Sequence, residues 1–344
     1  MKQGKIAENV LKRSVLKPIQ SHTEKKANGA VTGSDCAFLA YKMQTISLPV
    51  AGDVLMRHGI YAAVNALAAE GYTPQNILLG ISIPERMREI RLKTMMEAAQ
   101  DVCMQENLQI LGGHTEVSDA VSTPVLSVTA TGTGAAPAEK KAAGLDIVVT
   151  KYIGMEAAAL LAQEKEAQLL ARFPRVMVEK AKGFEKYLSI LPEAATAGKS
   201  GVSFMQAVRE GGIFASLWEL AERAGVGLHI DLMKIPMDQT VVEICNYYDL
   251  NPYEILSSGS ALLFAKQGQQ LCEELAAIGI PAAVIGQTTD GNDRIIQNGE
   301  EIRYLDLPKP DQIRKILNYT AKMASKGAVS YTHLRAHETT LHLV

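Results

Sequence analysis

The run Ile77-Leu78-Leu79-Gly80-Ile81-Ser82-Ile83 constrains the fold most: it is almost wholly apolar, too short for a typical helix, and closed by Pro84. Such a run suits a strand covered on both faces, so a layered α/β sheet with this strand inside it is expected. Its surroundings agree. Upstream, 52–70 is rich in small, helix-permissive residues, and Gly71 stands where a helix C-terminal cap belongs. Downstream, Pro84-Glu85 open a helical stretch to about Asn107, with Pro in the first turn and acid at the positive end. Residues 36–41, 43–48, 108–111 and 125–131 read as strands. The first unit is therefore β-β-α-β-α-β-β, preceded by an amphipathic helix over 5–17 that Pro18 ends.

The stretch 135–144 has no period and carries Pro, Gly and charge, which marks a domain boundary. Beyond it the pattern predicts strands at 146–151, 227–231, 261–265 and 282–286. Helices are predicted over 154–165, 175–189, 213–224, 238–248 and 269–278. A hairpin over 293–305 turns at Asn298-Gly299. The expected organisation is an N-terminal domain over 1–143, a C-terminal domain over 144–312 and a helix over 313–327. With 344 residues, two cores are the natural expectation. Residues 328–344 continue no earlier pattern and read as a non-native, adapter-derived tail, so the i, i+4 pair His333 and His337 is not taken as a metal site.

Charge is nearly balanced, 35 basic residues against 37 acidic, and no basic stripe interleaved with aromatics is present. A nucleic-acid partner is therefore not expected. Neither a secretory h-region nor a run of ~18 apolar residues occurs, so no membrane partner is expected and the cytoplasm is the expected location. Cys36, Cys103, Cys245 and Cys272 are scattered without a CxxC pair and read as buried, reduced thiols.

Four segments carry possible chemistry. Leu111-Gly112-Gly113-His114-Thr115-Glu116-Val117 places paired glycines and polar groups at a strand end; a ligand-binding turn and a plain tight turn fit it equally. Arg209-Glu210-Gly211-Gly212 opens a helix, whose free N–H groups attract anions, though ordinary capping explains this segment, and turn chemistry the next, equally simply. Asn251 to Ser260, with Ser257-Ser258-Gly259, is a hydroxyl-rich turn before an apolar strand. Ala197-Gly198-Lys199-Ser200 looks like the end of a P-loop, but position 193 is Glu where that motif needs Gly, and no strand precedes it. It is read as a loop.

The order and wording of these segments, with Val10-Leu11-Lys12-Arg13-Ser14-Val15-Leu16, Gly33-Ser34-Asp35-Cys36-Ala37 and Ile285-Gly286 to Gly291-Asn292-Asp293-Arg294, resemble the AIR synthase-related family and its hydrogenase expression/formation (maturation) members over about residues 4–312. The resemblance implies a two-domain α/β (α+β) fold: an N-terminal four-stranded mixed sheet with helices, then an α+β domain. It implies a homodimer through the N-terminal domain, with ATP and Mg2+ in a cleft between glycine-rich segments. The implied nucleotide-binding residues are Asp35, Gly112, Gly113, His114, Thr115, Glu116, Glu210, Gly211, Gly212, Ser257, Ser258 and Gly259, with Asp35 also a metal ligand.

The chain departs from the family pattern at three acids. Ser47-Leu48-Pro49 stands for Ser/Thr-Asp-Pro, Asn65-Ala66 for Asn-Asp, and Met205-Gln206-Ala207-Val208-Arg209 for Met-His-Asp-Val-Thr. Magnesium in phosphate sites is held by carboxylates plus substrate oxygens, so these changes remove most of its expected ligands. Carbamoyl-dehydrating members also use a cysteine near the C-terminus, whereas Cys272 is the last cysteine here. The resemblance therefore implies three readings. They are an ATP-dependent enzyme of this family, a non-catalytic paralogue acting as a binding or scaffold subunit, and a small-molecule kinase of the thiamine-phosphate kinase kind.

Overall fold

The computed structural model describes residues 8–11, 13–14, 36–37, 41–46, 48, 50–134 and 143–317. Asp35, the expected linker at 135–142, most of the first expected helix, and everything from 318 on, including the tail, lie outside them.

In chain order the elements are α1 (Glu8–Leu11), β1 (Cys36–Ala37), β2 (Tyr41–Ile46), α2 (Gly52–Ala69), β3 (Thr73–Ile83), α3 (Glu89–Gln105), β4 (Gln109–Val117) and β5 (Val125–Thr133). Then come β6 (Asp146–Thr150), α4 (Met155–Glu164), α5 (Glu166–Leu170), α6 (Arg175–Lys182), α7 (Leu191–Lys199), β7 (Phe204–Ala207), α8 (Gly212–Ala224) and β8 (Gly227–Asp231). The chain continues through α9 (Gln239–Tyr247), β9 (Ala261–Ala265), α10 (Gly268–Ala277), β10 (Ala282–Thr289), β11 (Arg294–Asn298) and β12 (Glu301–Tyr304). Two mixed sheets result. The first has five strands in the order β1-β2-β5-β3-β4, and the second seven, β12-β11-β8-β10-β6-β9-β7. Only β3–β4 and β11–β8 pair in parallel.

The helical layer joins the two halves. Leu55, Met56, Ile60 and Leu67 of α2 lie in the same apolar cluster as Met155, Leu160 and Leu161 of α4 and Val241 of α9. Fully burying each such large side chain stabilises by about 1.5–3 kcal/mol. Polar contacts fix the register between the halves. Asn65 Nδ2 donates to Leu188 O at 2.6 Å, and Ile190 N donates to Asn65 Oδ1 at 3.1 Å, so both ends of a buried amide are satisfied.

Several expectations are corrected. β3 is not buried on both faces: Ile77, Leu79, Ile81 and Ile83 are buried while Leu78 is exposed, because among the described residues helices cover only one face of the first sheet. The sheet has the five strands of the β-β-α-β-α-β-β reading, one more than the four the resemblance implies, and its first, β1, is only two residues long. Pro84 does not start a helix. Its carbonyl accepts from Met87 N in a turn, Arg88 remains extended, and α3 begins at Glu89. The expected helix over 175–189 ends at Lys182 and tightens into a 3-10 turn at Gly183–Tyr187. The segment read as a loop around 197–200 is the end of α7, and Glu193, on that helix, makes a buried ion pair of 2.7 Å with Lys151. The hairpin pairs Asn298 with Glu301, so its two loop residues are Gly299 and Glu300, and Gly299 takes the positive φ of 61°. The last described turn, Gln312–Lys315, is 3-10 where a helix over 313–327 was expected.

Candidate functional site

A cleft of about 610 Å³ opens between the sheets, with β2 and α2 on one side and β7, α8 and residues 311–314 on the other. Leu48, Ala66 and Ala207, the three positions where the family pattern has an acid, all line it. They come from three distant stretches of sequence, and the fold brings them to one cleft.

Charge in the cleft is mixed. Glu70, Glu210, Glu219 and Asp311 supply carboxylates, and Lys42, Arg209, Arg223 and Arg314 supply cations. Arg223 Nη1 lies 2.6 Å from Glu70 Oε1, and Arg314 Nη2 lies 3.0 Å from Glu210 Oε1. Arg209 Nη1 donates to Gln44 Oε1 at 2.6 Å, a contact between the halves. Asp311 reaches the start of α8: Oδ2 accepts from Gly211 N at 2.7 Å, and Oδ1 accepts from Ile313 N at 2.9 Å. Burial pushes the Asp311 carboxyl up to about 7 against those two hydrogen bonds, and the charges of Glu210 and Glu156 push the same way.

Behind the cleft a buried ion cluster ties α2 to the second half. His58 Nδ1 contacts Glu156 Oε1, and His58 Nε2 is 3.5 Å from Glu185 Oε1. Burial works against the charged imidazolium, but hydrogen bonds and charge from the two glutamates outweigh it and raise its pKa to about 9. The same contacts hold Glu156 and Glu185 low despite burial.

The expected site residues fall into separate groups. Glu210 lines the cleft, Gly211 lines a smaller cavity of about 230 Å³ on the other side of the α8 start, and Gly212 is buried under Tyr253 and Ile255. Ser257, Ser258 and Gly259 are buried behind the cleft. Ser257 Oγ accepts from Gly154 N and donates to Ile255 O, Ser258 N donates to Glu156 Oε2, and Gly259 O accepts from Lys151 Nζ. The Ser257 hydroxyl and the Ser258 backbone are committed to holding the start of α4, the buried Ser258 Oγ has no hydrogen-bond partner among the described residues, and it is neighbouring Leu256 that reaches the cleft.

Gly112, Gly113, His114, Thr115 and Glu116 lie on exposed β4, outside the cleft lining. Close pairing explains Gly113: a Cβ there would sit 1.8 Å from Leu79 O. Glu116 Oε1 accepts from Ser82 Oγ at 2.8 Å. Asp35 is outside the described residues.

Sequence reasoning missed Lys42, Gln44, His58, Glu156, Arg223, Asp311 and Arg314. One signal was present. Lys42 and Gln44 are in phase with Ile46 along β2, which puts both on the inward face by strand alternation. No comparable pattern marks the others.

Among the described residues, which leave out Asp35, the donor set does not fit magnesium. No group of three or more His, Cys, Asp or Glu suited to a metal occurs among the described residues, and three cleft positions that would supply acids carry Leu or Ala. The cleft size does suit a small-molecule ligand.

Two mixed sheets that share a helical layer and enclose a charged cleft define a two-domain α/β protein. Residues 25–134 match the N-terminal domain, and 142–297 the C-terminal domain, of the AIR synthase related protein family. The chain belongs to that family. It is 24% identical over 337 residues to a putative hydrogenase expression/formation protein of Methanocaldococcus jannaschii, covering 91% of this chain and 97% of that protein. It is also 24% identical over 267 residues to the carbamoyl dehydratase HypE of Bradyrhizobium diazoefficiens, covering 71% and 75% of the two chains. Among solved structures, the hydrogenase maturation protein HypE in complex with ATP aligns at a TM-score of 0.63 and 16% identity, over 91% of this chain and 97% of that one. ThiL complexed with AMPPCP and TMP aligns at a TM-score of 0.68 and 17% identity, over 88% and 97%. Among the described residues no helix is long and apolar enough to cross a membrane.

Proposed function

We propose that this chain is a nucleotide-binding protein of the hydrogenase-maturation type, taking ATP in the cleft between its sheets with the Glu210–Gly212 turn at the phosphate end. The observation that carries the reading is convergence. Leu48, Ala66, Ala207 and Glu210 are scattered along the chain, they are where the family's motifs align, and they line one cavity. A relative by fold holds ATP and another holds AMPPCP, which supports a nucleotide as the ligand class. The chain's task in this reading is ATP-dependent activation of, or phosphoryl transfer to, a small-molecule or protein-borne group. A homodimer through the N-terminal sheet is part of the proposal, since no described helix covers one face of that sheet, which carries exposed Met43 and Leu78, with Leu111 and Val117 on its β4 edge.

A second reading has a specific observation behind it. Apolar Leu48, Ala66 and Ala207 in the cleft favour a non-catalytic paralogue that binds a ligand or partner without metal-assisted turnover. Calorimetry with ATP, with and without magnesium, separates the two. Tight magnesium-dependent binding supports the enzyme, weak binding indifferent to magnesium supports the binding subunit, and no binding removes the nucleotide from the proposal.

A further inference from the structure

With three acids missing, the four cations of the cleft, Lys42, Arg209, Arg223 and Arg314, face four carboxylates, Glu70, Glu210, Glu219 and Asp311. Arg223 and Arg314 are matched to Glu70 and Glu210. Lys42 and Arg209 have no ion-pair partner among the described residues. Lys42 lines the cleft, yet is only 4% exposed. Its stem is packed away, while the ammonium of a residue that lines the cleft is open to an anion there. Arg209 has committed Nη1 to Gln44, while its buried Nε has no hydrogen-bond partner. Gln44 follows Lys42 by two residues on β2, so the two stand on one face about 7 Å apart. Arg209 of the second half thus reaches the face of β2 that carries Lys42.

We propose that Lys42 and Arg209 form a two-point anion seat bridging the two halves, which takes a phosphate or pyrophosphate group directly, with no metal ion between. The proposal rests on the nucleotide reading for the choice of cleft and adds how the ligand's charge is met. A guanidinium fork and an ammonium are the side chains that hold phosphate oxygens by charge-assisted hydrogen bonds. Apolar Leu48, Ala66 and Ala207 suit this arrangement, because carboxylates there would repel a phosphate that arrives without its metal. The ligand class is a phosphorylated small molecule recognised through its bare anion.

The test is calorimetric titration of the full chain with sodium pyrophosphate, in EDTA and again in magnesium, with ATP titrated in parallel and in competition. Pyrophosphate is expected to bind in EDTA with no gain from magnesium. Lys42→Met and Arg209→Gln are each expected to weaken it about tenfold or more, while Arg209→Lys retains part of the affinity. Melting temperatures identify any variant that fails to fold; if Lys42→Met does, Arg209→Gln decides. Pyrophosphate binding that requires magnesium, is absent in both conditions, or survives both substitutions overturns the seat. If ATP binds only with magnesium while pyrophosphate fails in EDTA, the seat falls and the nucleotide reading stands. If pyrophosphate binds in EDTA but ATP neither binds nor competes, the nucleotide reading falls and the seat stands.

Discussion

His58 Nδ1 lies 2.9 Å from Glu156 Oε1 across the boundary between the two halves, with both side chains almost wholly buried. Glu156 also accepts Ser258 N, so one carboxylate anchors α2 and the Ser-Ser-Gly turn together. The cleft owes part of its shape to this contact, since Ala66 and Ala69, further along α2, line it.

Stability is expected to fall on the alkaline side because of that cluster. The folded pKa of His58, about 9, exceeds its ordinary 6.5, so its contribution is complete below pH 6.5 and is lost as pH rises through 9. Glu156 and Glu185 are held below their ordinary 4.5, so their contribution is present above that value and is lost on acidification. Asp311, held up to about 7 by burial, adds a loss as pH rises through 7, so stability should be greatest toward the acidic end of this window, and His58 adds a loss of roughly 3 kcal/mol on going well above pH 9. Urea denaturation across pH 5–10 measures it, and His58→Gln should flatten the alkaline limb. An equally steep limb in that variant would assign the loss to another group.

Gly212 is expected to tolerate no side chain. Its φ is +67°, and an added Cβ would meet Tyr253 O at 2.4 Å and Ile255 N at 2.7 Å, all backbone atoms with little room to give. Gly212→Ala should cost several kcal/mol or prevent folding, by strain and overpacking together. Gly299→Ala, at φ +61° but with nothing within 4 Å, should cost only about 1–2 kcal/mol. Chemical denaturation of both variants checks the contrast.

Legibility in the sequence followed the range of the physics. α2, α4, α8, α9 and most strands announce themselves through local periodicity, and their placement agrees with it. The seven-residue run at 77–83 did not reveal that no described helix covers one sheet face, because coverage depends on where α2 and α3 land. α7 was missed because Leu191–Lys199 has few apolar residues and a Pro near its start; tertiary packing of Ala197 and the Lys151–Glu193 pair secure it instead. The site divided in the same way. Glu210 was readable from the glycines that follow it, whereas Lys42, Arg223 and Asp311 act through partners 100 or more residues away, or through a cleft wall that no local pattern encodes.

Three of the four thiols should be unreactive in the native protein. Cys103, Cys245 and Cys272 are buried, and burial raises the first to about 11, the second to about 12, and the third as well. The thiolate is the nucleophile, so none of these three is suited to carry a transferred group. Titration with a chromogenic disulfide at pH 8 is expected to count at most one thiol before unfolding and four after. Rapid native modification of Cys272 would contradict this and restore it as a candidate acceptor.

Returning acids to the cleft is expected to exchange one mode of anion binding for another. Ala66 and Ala207 are the favourable positions, being partly buried and small, whereas Leu48 is buried and its loss would also remove packing. Each new carboxylate about 10 Å from a bound phosphate costs on the order of 1–2 kcal/mol at an effective dielectric of ~20, or roughly tenfold in affinity. The Ala66→Asp, Ala207→Asp double variant should therefore bind pyrophosphate more weakly in EDTA than the parent chain. With magnesium added, the same carboxylates become ligands that bridge to phosphate oxygens, and ATP binding should turn magnesium-dependent. Calorimetry of both chains under both conditions reads the exchange directly. Unchanged pyrophosphate affinity in EDTA together with no response to magnesium would mean that phosphate does not sit against this wall, and both the seat and the ATP site would have to be sought elsewhere.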